Sequence, residues 1–299
     1  MIKLILAHRR FLTYFCKVNI LKTSMNWPVF FKRLGSAVFF CAIILAALLT
    51  NFEVFLAITL LVQFLCIKEY WAIVKAIYPD DYFPNWLYWC TQVTGVAVSL
   101  AIAMLTSLSG ALYLLFLIPV ILIFAAVIQN KTAMTAVFSS FAGLLYISLP
   151  MGFFIALYML QGTLQNNIPL ALILLIWTND TMAYISGSFI GKTPFSKISP
   201  KKTWEGTIGG VVFTVISIVI IHQLNWLPGL SLIDWIALAL CASIAGTAGD
   251  LFESKLKRLA NVKDSGNIMP GHGGALDRFD SLLFALPFTF CYVFLFMMP

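Results

Sequence analysis

Near the carboxy terminus, Lys263, Asp264, Ser265 and Gly266 are followed by Pro270, Gly271, His272, Gly273 and Gly274, and then by Asp277, Arg278 and Asp280. Glycines and a proline at this density hold an irregular backbone whose amides can come close to an anion. Asp277 and Asp280 are three apart, so a helix starting there presents both carboxylates in one direction. Hard oxygen ligands of this kind suit magnesium, which keeps part of its water shell and bridges carboxylates to phosphates. His272, a lone histidine between glycines, serves structure as readily as chemistry.

Three other segments carry related chemistry. In Gly249 to Arg258, a continuing helix places Asp250, Glu253, Ser254 and Lys257 on one face, joining metal-ligand oxygens to a phosphate donor. A solvated helix end with ion pairs at i+4 has the same pattern. In Gly191 to Gly206, the prolines interrupt helix, Lys192, Lys201 and Lys202 supply donors, and Thr203 can cap the helix that follows; Glu205 sits at its start. On its own this is also an ordinary basic loop. Finally, Trp177, Asp180, Thr181 and Tyr184 share one helical face, with Asp180 a carboxylate in an otherwise apolar stretch. Such a residue faces a cavity or partner, or lies close enough to the headgroups to be hydrated.

Seven of the twelve acidic residues, Asp180, Glu205, Asp250, Glu253, Asp264, Asp277 and Asp280, fall in these segments together with nine basic ones. Mixed charge in so short a stretch is what a metal and polyphosphate site requires.

The elements that position them are dictated by composition. Of 299 residues, 61% are apolar and only 10% charged, against roughly 45–50% apolar in a soluble domain. The apolar residues fall in runs near the ~20 that a helix needs to cross a bilayer, without the alternation of barrel strands. The fold class is therefore an all-α polytopic membrane protein. Nine spans are predicted: Leu34 to Thr50, Val54 to Ile67, Trp86 to Thr106, Ala111 to Ile128, Ala133 to Leu160, Ile168 to Ser186, Thr207 to Ile221, Leu232 to Ala248 and Leu282 to Met298. Pro150 and Gly152 in the fifth suit a kinked helix.

With the amino terminus cytoplasmic, the connections Asn51 to Glu53, Ser107 to Gly110, Gln161 to Asn167 and His222 to Ser231 hold no Lys or Arg, and all 19 basic residues fall inside. This is the expected bias of cytoplasmic loops. It puts the carboxy terminus on the opposite side and the polar segments at the cytoplasmic face. The net charge of +7 then reports topology and attraction to anionic headgroups, not nucleic-acid binding. Residues 1–33 read as a basic amino-terminal arm, of which the first 24 could form an interfacial helix or precede an alternative start at Met25. Residues 34–299 read as one membrane-embedded domain, with the chemistry from about residue 168 onward. Six scattered cysteines without a CxxC favour neither zinc nor disulfides.

The run of Ser254, Lys257, Arg258, Lys263, Asp264, Gly266, Pro270, His272, Gly273, Gly274, Asp277, Arg278 and Asp280 resembles, in order and spacing, the signature of the phosphatidate cytidylyltransferase (CDP-diacylglycerol synthase) family. Ser199 to Gly206 and Trp177 to Tyr184 also resemble motifs of that family. The resemblance covers about the carboxy-terminal 40% of the chain; the amino-terminal spans are similar only in general character. It implies a magnesium-dependent membrane enzyme, often dimeric, that makes CDP-diacylglycerol and pyrophosphate from CTP and phosphatidic acid in the cell's inner membrane. A second metal ion is compatible with it.

The same resemblance, with the convergence of carboxylates from two helix ends, makes Asp250, Asp277 and Asp280 the expected metal-binding core, with Lys257 and Asp264 also catalytic. Asp180 and Glu205 join an outer tier with Asp264. Lys201, Lys202, Lys257, Arg258, Lys263 and Arg278 are expected to divide between the CTP triphosphate and the lipid phosphate. Ser254, His272, Gly273 and Gly274 complete the expected substrate-binding set. A CTP-dependent polyprenol kinase needs similar parts but would yield CDP and a phosphorylated lipid. A secondary transporter would show paired repeats and a midplane charge cluster, and the sequence has neither.

Overall fold

The computed structural model describes residues 27–104, 132–160, 167–224, 230–268 and 273–297, with the backbone alone for residues 27–34 and Asn167. The expected span Ala111 to Ile128, His272 and the first 26 residues of the arm lie outside the described residues.

Eight helices run through the described chain: α1 (Trp27–Leu49), α2 (Phe52–Ile77), α3 (Asn85–Ala103), α4 (Met134–Tyr158), α5 (Asn167–Ile190), α6 (Trp204–Gln223), α7 (Leu232–Leu259) and α8 (Leu276–Met297). Among the described residues there is no strand, only an isolated bridge between Pro194 and Thr203. Six of the eight, α3 through α8, are long and apolar enough to cross a membrane. In α1 the residues with described side chains within the helix, Gly35–Leu49, are apolar. In α2 the expected span Val54 to Ile67 is continuous with a charged end bearing Lys68, Glu69 and Lys75.

The helix starts follow local sequence. Asn51 caps α2 by accepting from the Val54 amide at 3.0 Å, and Thr203 caps α6 by accepting from Gly206 at 3.1 Å. Ser231 and Asp234 form a reciprocal capping box on α7. These side chains satisfy amides that have no partner inside the helix. A π-turn at Leu144–Ser148 in α4 precedes Pro150. The carbonyl that Pro150 cannot engage belongs to Tyr146, within that turn, so the wider turn absorbs the defect that the sequence predicted as a kink.

Close packing rests on small and buried polar residues, as expected where lipid supplies no hydrophobic drive between helices. A Cβ on Gly209 or Gly210 of α6 would strike Ser186 or Asn179 of α5. Deep in the bundle, Ser99 of α3 donates to Gln63 of α2 at 2.7 Å, and Gln63 donates to Ser148 of α4 at 3.3 Å. Gly249 of α7 lies against the Asp280 carbonyl of α8, where a Cβ would not fit. That contact brings Asp250 and Asp280 into one region.

Candidate active site

The charged ends of α6, α7 and α8, the loop before α6 and the middle of α5 enclose one cavity of about 1080 Å³. Its wall includes five carboxylates, Asp180, Asp250, Asp264, Asp277 and Asp280, and four cations, Lys201, Lys202, Lys257 and Arg278. On α5 the lining runs from Ile176 to Ser188, so at 1.5 Å per residue the cavity extends about 18 Å along that helix. Phe40 and Cys41 of α1 and Ile176 and Trp177 of α5 also line the cavity and add apolar surface.

The glycine-rich loop is organised around Asp277. Its Oδ2 accepts from the Ser265 amide at 2.8 Å, the Ser265 hydroxyl at 2.9 Å and the Gly274 amide at 2.8 Å. Its Oδ1 accepts from Lys257 at 2.5 Å. Gly273 adopts φ +82°, a left-handed conformation that favours glycine, and a Cβ there would collide with the Asp277 carboxylate. The loop thus folds onto its own aspartate. Lys257 also pairs with Glu253, so one ammonium bridges a helix-mate and the loop. Glu253 is fully buried, and among the described residues neither of its oxygens accepts a hydrogen bond of good geometry.

On the other side of the cavity, Lys202 pairs with Asp250, and Ser254 donates to Asp250 at 3.3 Å. Asp280 is buried at 8% exposure and accepts from the amide of Ser281. Asp180, Asp250 and Asp280 stand near enough for their charges to repel one another.

Several expected site residues stand off the cavity wall. Glu205 accepts from the Lys192 amide at 3.1 Å and from the Thr193 amide, so its carboxylate pins the loop that carries Lys201 and Lys202. Arg258 is exposed and donates to the Val262 carbonyl at 3.3 Å, and Lys263 is exposed on the loop. Gly274 contributes its amide to Asp277.

The sequence pattern assigns no role to Glu69. Glu69, on α2, is buried against the same loop and accepts from Ser265, Ala275 and Leu276. Its only sequence signal is a carboxylate among the basic residues of a helix end, which reads as topology. Glu253, expected on the face of Asp250 and Lys257, pairs with Lys257 but is not part of the cavity lining.

Among the described residues, no three carboxylates, histidines or cysteines converge closely enough to hold a metal ion by themselves. Magnesium does not need that many, because it is normally bound by one or two carboxylates together with water and substrate phosphates. The mutually repelling carboxylates on one wall are hard oxygen donors of the right chemistry, so the residues fit the ion.

A model of the cytidylyltransferase family matches residues 31–296. The chain is similar to the phosphatidate cytidylyltransferase of Bacillus subtilis, 38% identical over 183 residues, which are 61% of this chain and 67% of that protein. It is similar to the chloroplastic phosphatidate cytidylyltransferase 4 of Arabidopsis thaliana, 47% identical over 114 residues, 37% of this chain and 29% of that protein. A longer match, 34% identical over 243 residues, is to the uncharacterized protein YnbB of Escherichia coli and covers 78% of this chain and 76% of that one. The chain therefore spans between 29% and 76% of the length of these relatives.

Proposed function

The chain belongs to the cytidylyltransferase family, and from that premise we propose that it transfers the cytidylyl group of CTP to phosphatidic acid, forming CDP-diacylglycerol and releasing pyrophosphate. The observation that carries the reading is the single cavity in which four cations and five carboxylates face one another beside apolar surface. Both substrates are anions, so their approach is costly unless positive charge offsets the repulsion. Lys201, Lys202, Lys257 and Arg278 supply it from three directions. A lipid phosphate can arrive from the bilayer with its chains against that apolar surface, already at the depth of the charged groups.

The attacking phosphate oxygen is ionised before it reacts, so no general base is needed. A new bond forms from that oxygen to the α-phosphorus as the bond to pyrophosphate breaks, in line. That accounts for a site made of carboxylates and cations without a nucleophile and base pair. Magnesium, when bound, would offset phosphate charge; Asp250, Asp280 and the Lys257-facing oxygen of Asp277 are the donors assigned to it. Asp180 and Asp264 complete the acidic lining, and a second ion is compatible with that number of carboxylates. Lys202 and Lys257, paired with Asp250 and Asp277 in this structure, are positioned to exchange those partners for substrate phosphates.

The reading includes nine crossings, with basic loops and amino terminus on the cytoplasmic side of the cell membrane, and pairing of two copies. Cysteine labelling of engineered loop positions and cross-linking in membranes test these points. The activity itself is tested with purified protein, labelled CTP, magnesium and phosphatidate. Lipid-soluble cytidine and free pyrophosphate are expected. CDP with a phosphorylated lipid would indicate a kinase instead, and no CTP-dependent product at all would end the proposal.

A further inference from the structure

Glu69 lies in the half of the chain that carries no motif, yet it is only 5% exposed and ends against the signature loop. Its Oε2 accepts from the Ser265 hydroxyl at 2.7 Å and from the Leu276 amide at 2.8 Å, and its Oε1 accepts from the Ala275 amide at 2.9 Å. Ala275 and Leu276 open α8, where the first amides of a helix have no intrahelical partner. A carboxylate arriving from α2 therefore performs the work of an N-cap, with a charge that favours the positive end of the helix.

Two signature glycines follow from this contact. A Cβ on Gly266 or on Gly274 would run into the Glu69 carboxylate. Glycine at both positions lets the loop close over a buried acid, in addition to anything it does for an anion in the cavity. Ser265 links the two acids, since its hydroxyl is shared between Glu69 and Asp277.

Among the described residues Glu69 has no ion-pair partner. Burying a carboxylate is costly unless hydrogen bonds compensate.

We propose that Glu69 is a positioning residue for cytidylyl transfer, which fixes the direction of Asp277 by holding Ser265 and the first turn of α8. This rests on the activity proposed above. Glu69→Gln keeps the size of the side chain but turns an amide nitrogen toward backbone donors, whereas Glu69→Asp keeps the charge on a shorter stem.

The test combines kinetics with amide exchange on full-length protein in detergent. For Glu69→Gln we expect kcat to fall roughly 10–100-fold, the range for groups that orient a ligand-bearing residue, with KM for phosphatidate little changed. The amides of Ala275 and Leu276 should exchange faster than in the wild type while the unfolding temperature moves little, and Glu69→Asp should recover part of kcat. Unchanged kcat and exchange in Glu69→Gln would overturn the inference. So would a variant whose activity loss only follows a collapse of thermal stability, with no local gain in exchange and no recovery in Glu69→Asp. A wild-type protein that made no CDP-diacylglycerol would remove the activity reading, whereas wild-type turnover beside an unaffected Glu69→Gln protein removes this inference alone.

Discussion

Lys202, in the loop ahead of α6, pairs with Asp250 on α7. The two residues are separated by 48 positions, and each side chain keeps about a third of its surface exposed, 28% for Lys202 and 33% for Asp250. An ion pair of that exposure contributes little to stability. Its importance lies in what each partner faces, since both border the space where the phosphates must lie.

Asp250→Asn should therefore lower CDP-diacylglycerol formation by about 10²-fold or more, as expected when a group aimed at transition-state charge is neutralised, while circular dichroism and thermal unfolding stay close to wild type. Lys202→Ala should instead raise KM for CTP. Normal turnover in Asp250→Asn would remove Asp250 from the metal assignment.

Asp277→Asn should be inactive for a different combination of reasons. The carboxylate accepts from Ser265, Gly274 and Lys257, and an amide cannot serve all of those donors. Lys257 keeps Glu253 as a partner, so the stability cost is expected at about 1–3 kcal/mol, short of that for an orphaned buried charge. A protein that remains folded in detergent, melts several degrees lower and gives no product is the expected result. Full activity would show that the loop does not depend on this acid.

The loop before α6 separates positioning from charge. Thr203→Ala removes the cap on Gly206 and should cost about 1 kcal/mol. Glu205→Gln weakens the grip on the Lys192 and Thr193 amides, and we expect it to raise KM for CTP more than it lowers kcat, because Lys201 and Lys202 ride on the same loop. Steady-state kinetics over a range of CTP concentrations decides this. A fall in kcat with KM unchanged would place Glu205 in the reaction itself.

The carboxy-terminal half of the site was legible because its residues are rare in apolar sequence and keep helical spacing: Asp180, Asp250, Lys257, Asp277 and Asp280 all reach the cavity. Orientation was not legible. Glu205 lies in the right loop yet turns toward backbone amides, because a side chain at the start of a helix can cap a neighbouring turn as easily as it can face a ligand. Glu69 was hidden by distance, since nothing local indicates that an acid on α2 will meet amides some 206 positions later. The boundaries of α2 differ from the expected span for a related reason. Helix continues into charged residues when tertiary contacts such as this one hold them, and hydropathy does not register that.

Removal of divalent metal gives the last expectation. Asp250 and Asp277 are each neutralised here by a lysine from the chain itself, so the fold does not rely on an ion to keep its acids together. Chelation with EDTA should abolish product formation while leaving the unfolding temperature nearly unchanged. Magnesium should restore turnover. Calcium, which tolerates more ligands and looser geometry, should bind and support little. In Lys202→Ala, where Asp250 has lost its internal cation, EDTA should lower the unfolding temperature more than in the wild type, because the freed carboxylates then repel without relief. Product formation undiminished by EDTA would refute metal dependence, and equal thermal shifts in the two proteins would show that Lys202 does not take the ion's place.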